Sequence, residues 1–471
     1  MQYVSTRGEA PPLGFADAML AGLAGDGGLY VPASWPAVEP QAIKSFAGRS
    51  YADVAVEIIG RFVGDSIADA DLSRMAREAY GGFRHPAVAP LTQLGVNTFA
   101  LELFHGPTLA FKDVAMALLA RLMDHTLRAR GERRTIVVAT SGDTGGAAIE
   151  AFRDRSQVDV IVLFPQGRIS AVQRRMMTTA DAGNVSAVAV DGTFDDCQAI
   201  VKAMFNHAAF RDRVRLSAVN SINWARIVAQ AVYYFTAAVS LGAPDRKIAF
   251  TVPTGNFGDI FAGYVALRMG LPIDRLIIAT NVNDILARTL ATGTYALRDV
   301  IATTSPSMDI QVSSNFERLL FEAYDRDGKA VRALMASLAQ SRRFNLSAAA
   351  LARIRATFGA GRADEDEVAA TIRTVKRETG QFVDPHTAVG IAVAEKEMRD
   401  PAVPMVVLAT AHAAKFPDAV EAACGVRPAL PEWLSDLDKR PERVTVLPAE
   451  QAAVERFVMA TSRAAQEGAA A

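Results

Sequence analysis

Of the residues that could carry chemistry, Lys112 has the least ordinary surroundings. It ends the stretch His105-Gly-Pro-Thr-Leu-Ala-Phe-Lys112 and is followed by Asp113 and an apolar helical pattern. Packing between Phe111 and that apolar face disfavours the ammonium form, lowers the pKa of the amine and makes it more nucleophilic. A first helical turn also disfavours a cation through the helix dipole, and local inconsistencies of this kind often mark function. The competing reading is an exposed lysine paired with Asp113 or Glu102.

Two further stretches suit an anion. Thr140-Ser-Gly-Asp-Thr-Gly-Gly146 follows a strand-length run and opens a helix, offering free amides, hydroxyls and a helix N-terminus to a carboxylate or phosphate. Pro253-Thr-Gly-Asn-Phe-Gly-Asp259 does the same after its own strand, and both loops are expected on one parallel sheet. Neither is a P-loop, since no lysine follows the glycines, and neither has the Gly-x-Gly-x-x-Gly spacing of a dinucleotide site. The plain alternative is a glycine-rich strand-to-helix turn. Around Ser221, Asn223 and Arg226 an arginine with hydroxyl and amide neighbours suits a substrate oxyanion, while helix capping beside a surface arginine reads equally well. Thr410 and His412 end a buried strand, where a lone histidine is ordinarily core or cap.

Other chemistries have little support. The six histidines (His85, His105, His125, His207, His386 and His412) show no zinc-ligand spacing, so no metal is expected. No Gly-x-Ser-x-Gly nucleophile elbow is present. Asp195-Asp196, beside Cys197, reads as a helix start rather than a metal pair.

The elements that would position these residues follow from hydrophobic patterning. Residues 1–95 read as a helical region, with helices over 13–24, 51–63 and 69–80 and a turn at Gly25-Asp-Gly-Gly28. Beyond residue 96, apolar runs alternate with helices. Strands are expected at Thr98 to Leu103, Thr135 to Ala139, Val158 to Phe164, Val185 to Val190, Ile248 to Val252, Leu276 to Thr280 and Met405 to Ala409. Runs apolar throughout suit strands buried on both faces, so the expected fold class is α/β, parallel sheets covered by helices. Ala231 to Ala243 reads as a buried helix. The expected divisions are a helical N-terminal domain (1–95), an α/β domain carrying Lys112 (96–245), a second α/β domain (246–425) with a helical insertion at about 316–380, and a C-terminal tail (426–471) that frays from Arg463.

Composition narrows the function classes. The chain has 471 residues, 50% apolar and 21% charged, with 50 Lys and Arg against 51 Asp and Glu. That balance is globular and calls for neither nucleic acid nor an anionic membrane as partner. Cys197 and Cys424 are too few for a disulfide framework, and neither a signal peptide nor a membrane span is apparent, so a cytoplasmic setting is expected.

A desolvated lysine beside two anion-binding loops suggests a phosphate-bearing aldehyde cofactor held as a Schiff base, and pyridoxal 5′-phosphate fits. The motifs already quoted, with Tyr3-Val-Ser-Thr-Arg-Gly8, Asp26-Gly-Gly-Leu-Tyr-Val-Pro32, Asp384-Pro-His-Thr-Ala-Val-Gly390 and Lys415-Phe416, cover nearly the whole chain. Through them it resembles the threonine synthase family, in the longer branch of bacteria and fungi, among the tryptophan synthase β-like (fold type II) pyridoxal phosphate enzymes. The resemblance implies that Lys112 forms the Schiff base. Gly255, Asn256, Phe257 and Gly258 would bind the cofactor phosphate, with the helix after Asp259 adding its dipole. Ser141, Asp143 and Thr144 would clamp the substrate carboxylate beside the cofactor's 3′ oxygen, and many relatives have Asn where this chain has Asp143. Ser221 and Arg226 match positions that bind the substrate phosphate. Thr410 matches the neutral partner of the pyridine nitrogen, which favours eliminations and proton shifts.

The implied reaction turns O-phospho-L-homoserine and water into L-threonine and phosphate by β,γ-replacement, in a monomer or small homo-oligomer with a mobile subdomain at about 115–225. The alternatives are a phospho-lyase releasing a 2-oxo acid, ammonia and phosphate, a threonine or serine dehydratase, and a non-catalytic binding paralogue.

Overall fold

A computed structural model describes residues 1–470. All seven expected strands are present, but they are divided between two sheets. The larger has the order Phe358–Arg362, Ile273–Thr280, Ile248–Pro253, Met405–Ala409, Thr98–Glu102 and Leu91–Gln93. It is parallel except for its last pair. The smaller has the order Thr445–Pro448, Val185–Asp191, Val158–Pro165, Arg134–Ala139 and Leu216–Ser217, parallel throughout. The two glycine-rich loops therefore lie on different sheets, not on one, because the strands that feed them, Arg134–Ala139 and Ile248–Pro253, never pair. The site lies where the carboxyl ends of the two sheets face one another.

The N-terminal region is not purely helical. Gln2–Ser5 pairs antiparallel with both Leu13–Gly14 and Tyr30–Pro32, and the first helix spans only Phe15–Ala21. Tyr51–Val63 and Asp69–Tyr80 form the expected helices, the former capped by Ser50. This region braces the site. The rings of Tyr3 and Phe62 pack 5.9 and 5.8 Å from that of Trp224, and Asn223 donates to the Met19 carbonyl at 2.8 Å. The helix Trp224–Ser240, which carries Arg226, is thereby fixed at its start.

Two other expectations are corrected. The segment 316–380 is not a helical insertion alone: Phe358–Arg362 enters the larger sheet beside Leu276 to Thr280. Its glycines hid it, and close packing requires them, since a Cβ on Gly359 would lie 2.6 Å from Arg275 and one on Gly361 2.8 Å from Val393. Nor is the stretch after 426 a tail. Thr445–Pro448 extends the smaller sheet beside Val185–Asp191, and Gln451–Thr461 and Arg463–Ala470 are helices. Arg463 holds Asp159 at 2.6 Å instead of fraying; Ala471 lies outside the described residues.

Candidate active site

Lys112 is the first residue of the helix Lys112–Arg130 and is buried. It pairs with neither of its expected neighbours. Asp113 accepts from the Thr108 amide and hydroxyl, and Glu102 accepts from Thr92 and contacts His105 at 2.7 Å. The Lys112 amine instead lies over the Phe111 ring, 4.6 Å from its centre, and 3.5 Å from Asp143 Oδ2. Burial lowers its pKa; the Asp143 charge opposes that shift, and Lys415 and Arg226 reinforce it. Burial likewise pushes Asp113 up to about 6 against the hydrogen bonds from Thr108.

Asp143 opens the helix Asp143–Phe152 behind Ser141 and Gly142. Its Oδ1 lies 2.7 Å from Lys415 Nζ and accepts from Gln173 Nε2 at 2.9 Å. Burial alone would raise its pKa, but Lys415 and Lys112 hold the carboxyl well below the usual range. Thr140 rather than Ser141 supports the turn, its hydroxyl accepting from the Gly142 and Gly145 amides. Ser141 and Thr144 flank the turn, half-buried.

The second loop is built differently. Pro253 ends its strand, and Phe257, with φ of 63°, caps the helix Gly258–Arg268. Leu109 is also left-handed, at 59°. Such a conformation costs a non-glycine residue about 1–2 kcal/mol, so both loops beside Lys112 hold strain. The side chain of Asp259 turns away from the loop to accept from the Tyr233 and Tyr234 hydroxyls. Burial raises Asp259 to about 7, the tyrosine hydrogen bonds opposing the shift.

Arg226 is a buried residue, not a surface one. Its guanidinium donates to the Val219 carbonyl at 3.3 Å, its Nε meets no partner, and burial pulls its pKa down to about 10. Asn223 caps the helix, accepting from the Ala225 amide. Asn315 ties this stretch to the glycine loop, donating to the Ser221 carbonyl at 3.1 Å and to the Asn256 carbonyl at 2.9 Å. Arg318 in turn donates to Asn315 and to the Ile222 carbonyl. Thr410 is buried at the end of Met405–Ala409, and its carbonyl accepts from the Phe111 amide at 2.9 Å. His412 acts as a cap, accepting from the Ala414 amide.

Comparison with known proteins decides the family. Three family models match in succession: "Threonine synthase N terminus" over residues 2–80, "Pyridoxal-phosphate dependent enzyme" over 84–335 and "Threonine synthase, C-terminal" over 387–458. Threonine synthase of Pseudomonas aeruginosa is 53% identical, with 97% of this chain and 98% of that protein covered. The chain belongs to the threonine synthase family. Among solved structures, a PLP-bound threonine synthase from Brucella melitensis matches with a TM-score of 0.97 and 62% identity, covering 98% of this chain and 100% of that one. Yeast threonine synthase matches with a TM-score of 0.93 and 38% identity over 98% of each chain.

The site fits the cofactor of the threonine synthase family. Among the described residues, the amides of Gly255, Asn256, Phe257 and Gly258 meet no acceptor of the chain, as a phosphate cradle requires. A Cβ on Gly255 would lie 2.6 Å from the Ser307 carbonyl, so that loop tolerates only glycine there. No group of His, Cys, Asp and Glu among the described residues is arranged to hold a metal, and no helix there is long and apolar enough to cross a membrane. Sequence reasoning missed Lys415, Gln173, Asn315, Arg318 and the two tyrosines. Only Lys415 left a trace, in the Lys415-Phe416 motif.

Proposed function

We propose that this chain converts O-phospho-L-homoserine and water to L-threonine and phosphate, with Lys112 as the residue that carries pyridoxal phosphate and moves the protons. One observation carries this reading: Asn315 bonds the Ser221 carbonyl, in the stretch that leads to Arg226, and the Asn256 carbonyl, in the loop of free amides 255–258, so two candidate anion sites are tied together near the buried Lys112. Such a site suits a phosphorylated cofactor and a phosphorylated substrate together.

When bound, the cofactor supplies an electron sink that acidifies the substrate's Cα and Cβ hydrogens. Gly255, Asn256, Phe257 and Gly258 would hold its phosphate, and Asp259, raised to about 7 and turned away toward its tyrosines, opposes it with less than a full carboxylate charge. Thr410 would give the ring nitrogen a neutral hydroxyl. Ser141, the Asp143 amide and Thr144 would orient the substrate carboxylate at the helix N-terminus. Ser221 and Arg226 would grip the substrate phosphate, which leaves from Cγ. The Lys112 amine takes the Cα proton and then a Cβ proton, one base reaching two adjacent carbons, before water adds at Cβ. The covalent and proton-transfer roles need this amine uncharged, and its burial shifts it in that direction.

The test is to incubate the purified protein with O-phospho-L-homoserine and identify the carbon product along with free phosphate. Threonine in equal amount to phosphate is the expected result. A 2-oxo acid with ammonia would make the chain a phospho-lyase, and no turnover would overturn the reading of the site.

A further inference from the structure

Two lysines of this site share one carboxylate. Asp143 receives Lys415 on Oδ1 at 2.7 Å and Lys112 on Oδ2 at 3.5 Å. Lys415 has the shorter pairing, and Gln173 donates to the same Oδ1 at 2.9 Å. Lys415 is also the more firmly held of the two. Its side chain is 1% exposed, and Nζ donates to the Thr108 carbonyl at 2.6 Å. A buried ammonium is costly unless paired and hydrogen-bonded, and Lys415 satisfies both conditions.

We propose that Lys415 is a positioning residue for Lys112: by occupying the near oxygen of Asp143 and adding a second positive charge, it leaves the Lys112 amine without a full counter-ion and therefore readier to give up its proton. This rests on the reading of Lys112 given above. It also accounts for an acid at position 143. A carboxylate facing Lys112 alone would hold the ammonium form and block attack on an aldehyde or abstraction of a carbon-bound proton. With Lys415 in place, the Asp143 carboxylate is largely neutralised by the nearer ammonium, and less of its charge is left to act on Lys112.

The other charged groups around Lys112 act in line with this. From the helix Trp224–Ser240, Arg226 adds a third cation; from the helix Gly258–Arg268, Asp259 titrates near 7 and is engaged by two tyrosines. On the helix of Lys112 itself, Asp113 is turned to Thr108. Asp143 is thus the strongest anionic influence on the amine, and Lys415 the strongest cationic one.

The test uses the full chain, freed of cofactor with hydroxylamine and mixed again with pyridoxal phosphate at pH values from about 6 to 10. The rise of visible absorption gives the capture rate, and borohydride reduction followed by peptide mass analysis locates the attachment. Lys415→Met is expected to move the midpoint of the rate against pH upward by about one unit, which is about tenfold slower capture on the acidic side. Lys415→Arg, which keeps the charge, should hold the original midpoint. Asp143→Asn, close in shape to the native residue, should move the midpoint downward, and it carries the test should Lys415→Met fail to fold. An unmoved midpoint in Lys415→Met, an equal shift in Lys415→Arg, or an upward or absent shift in Asp143→Asn would each overturn the role of Lys415. Attachment at a lysine other than Lys112 would instead overturn the reading of Lys112, so the two failures are distinct.

Discussion

The two glycine-rich loops use the same local grammar and reach opposite electrostatic ends. Each follows a buried parallel strand, opens a helix and places an aspartate in its first turn, Asp143 in one and Asp259 in the other. Yet Asp143 is held well below the usual carboxylate range, and Asp259 is raised to about 7. Both side chains are buried, so burial does not separate them. Their partners do. Asp143 meets two lysines, one of them brought from residue 415 at the end of another sheet's strand, whereas Asp259 meets two tyrosine hydroxyls. On the proposed reading, a charge-bearing loop suits the face where protons and an amine would be handled. On the same reading, a loop with bare amides and a partly protonated acid suits a phosphate.

The largest expected effect breaks the comparison at its centre. Lys112→Ala should reduce turnover by at least about a thousandfold and abolish borohydride-trappable cofactor, since a positioned base and nucleophile together contribute that much. Substantial activity in steady-state assays would mean that the charge around Asp143 serves some other group. Next comes Arg226→Ala. Loss of a buried charge-assisted contact of about 2–3 kcal/mol should raise KM for O-phospho-L-homoserine roughly 30- to 150-fold while cofactor absorbance is retained. Loss of the cofactor with KM unchanged would assign Arg226 to the other anion.

A smaller effect separates the loops themselves. Gly255→Ala would drive a Cβ to 2.6 Å from the Ser307 carbonyl, and the loop must shift to relieve it. Cofactor affinity should fall about tenfold, the effect of one distorted phosphate contact of about 1.4 kcal/mol, as measured by equilibrium dialysis. Gly142→Ala, at φ of 144° and with its new Cβ driven into the Gln173 side chain, should instead disturb Asp143 and the substrate, raising KM more than it weakens cofactor binding. Equal losses of cofactor in both variants would erase the distinction.

What was legible in the sequence is what local physics fixes. Lys112 and both loops declared themselves because a glycine forced by close approach and a lysine in a first helical turn leave their mark within a few residues. The seven central strands did so because burial on both faces makes them continuously apolar, as in Val158–Pro165. Gln2–Ser5 and Tyr30–Pro32 were missed because strands this short show no period. Thr445–Pro448 was missed because it is an edge strand, with Val446 54% exposed. Lys415, Gln173 and Asn315 were out of reach for another reason. Their roles are set by distances across the fold, and Asn315 in particular is an ordinary loop asparagine until Ser221 and Asn256 are brought to either side of it. The assignment of both loops to one sheet failed in the same way, since pairing of strands is non-local.

The smallest expected effect is also the most direct reading of the two aspartates. Asp259 has a folded pKa raised to about 7, so between pH of about 4, where the unfolded chain ionises it, and about 7 the folded state retains a proton that the unfolded state gives up. Its contribution to stability is therefore present at low pH and is lost as pH rises through that window. Asp143 has a depressed folded pKa; its contribution is present above about 4 and is lost only as pH falls below that value. The unfolding temperature of Asp259→Asn, measured against the parent chain by calorimetry, should gain on it by about 3 °C between pH 4 and 7. Over the same range, Asp143→Asn should run below the parent by a constant margin, closing only in more acid buffer. If the two differences move in parallel with pH, the aspartates share one electrostatic environment, and the proposed contrast between a proton-handling loop and a phosphate-holding loop loses its basis.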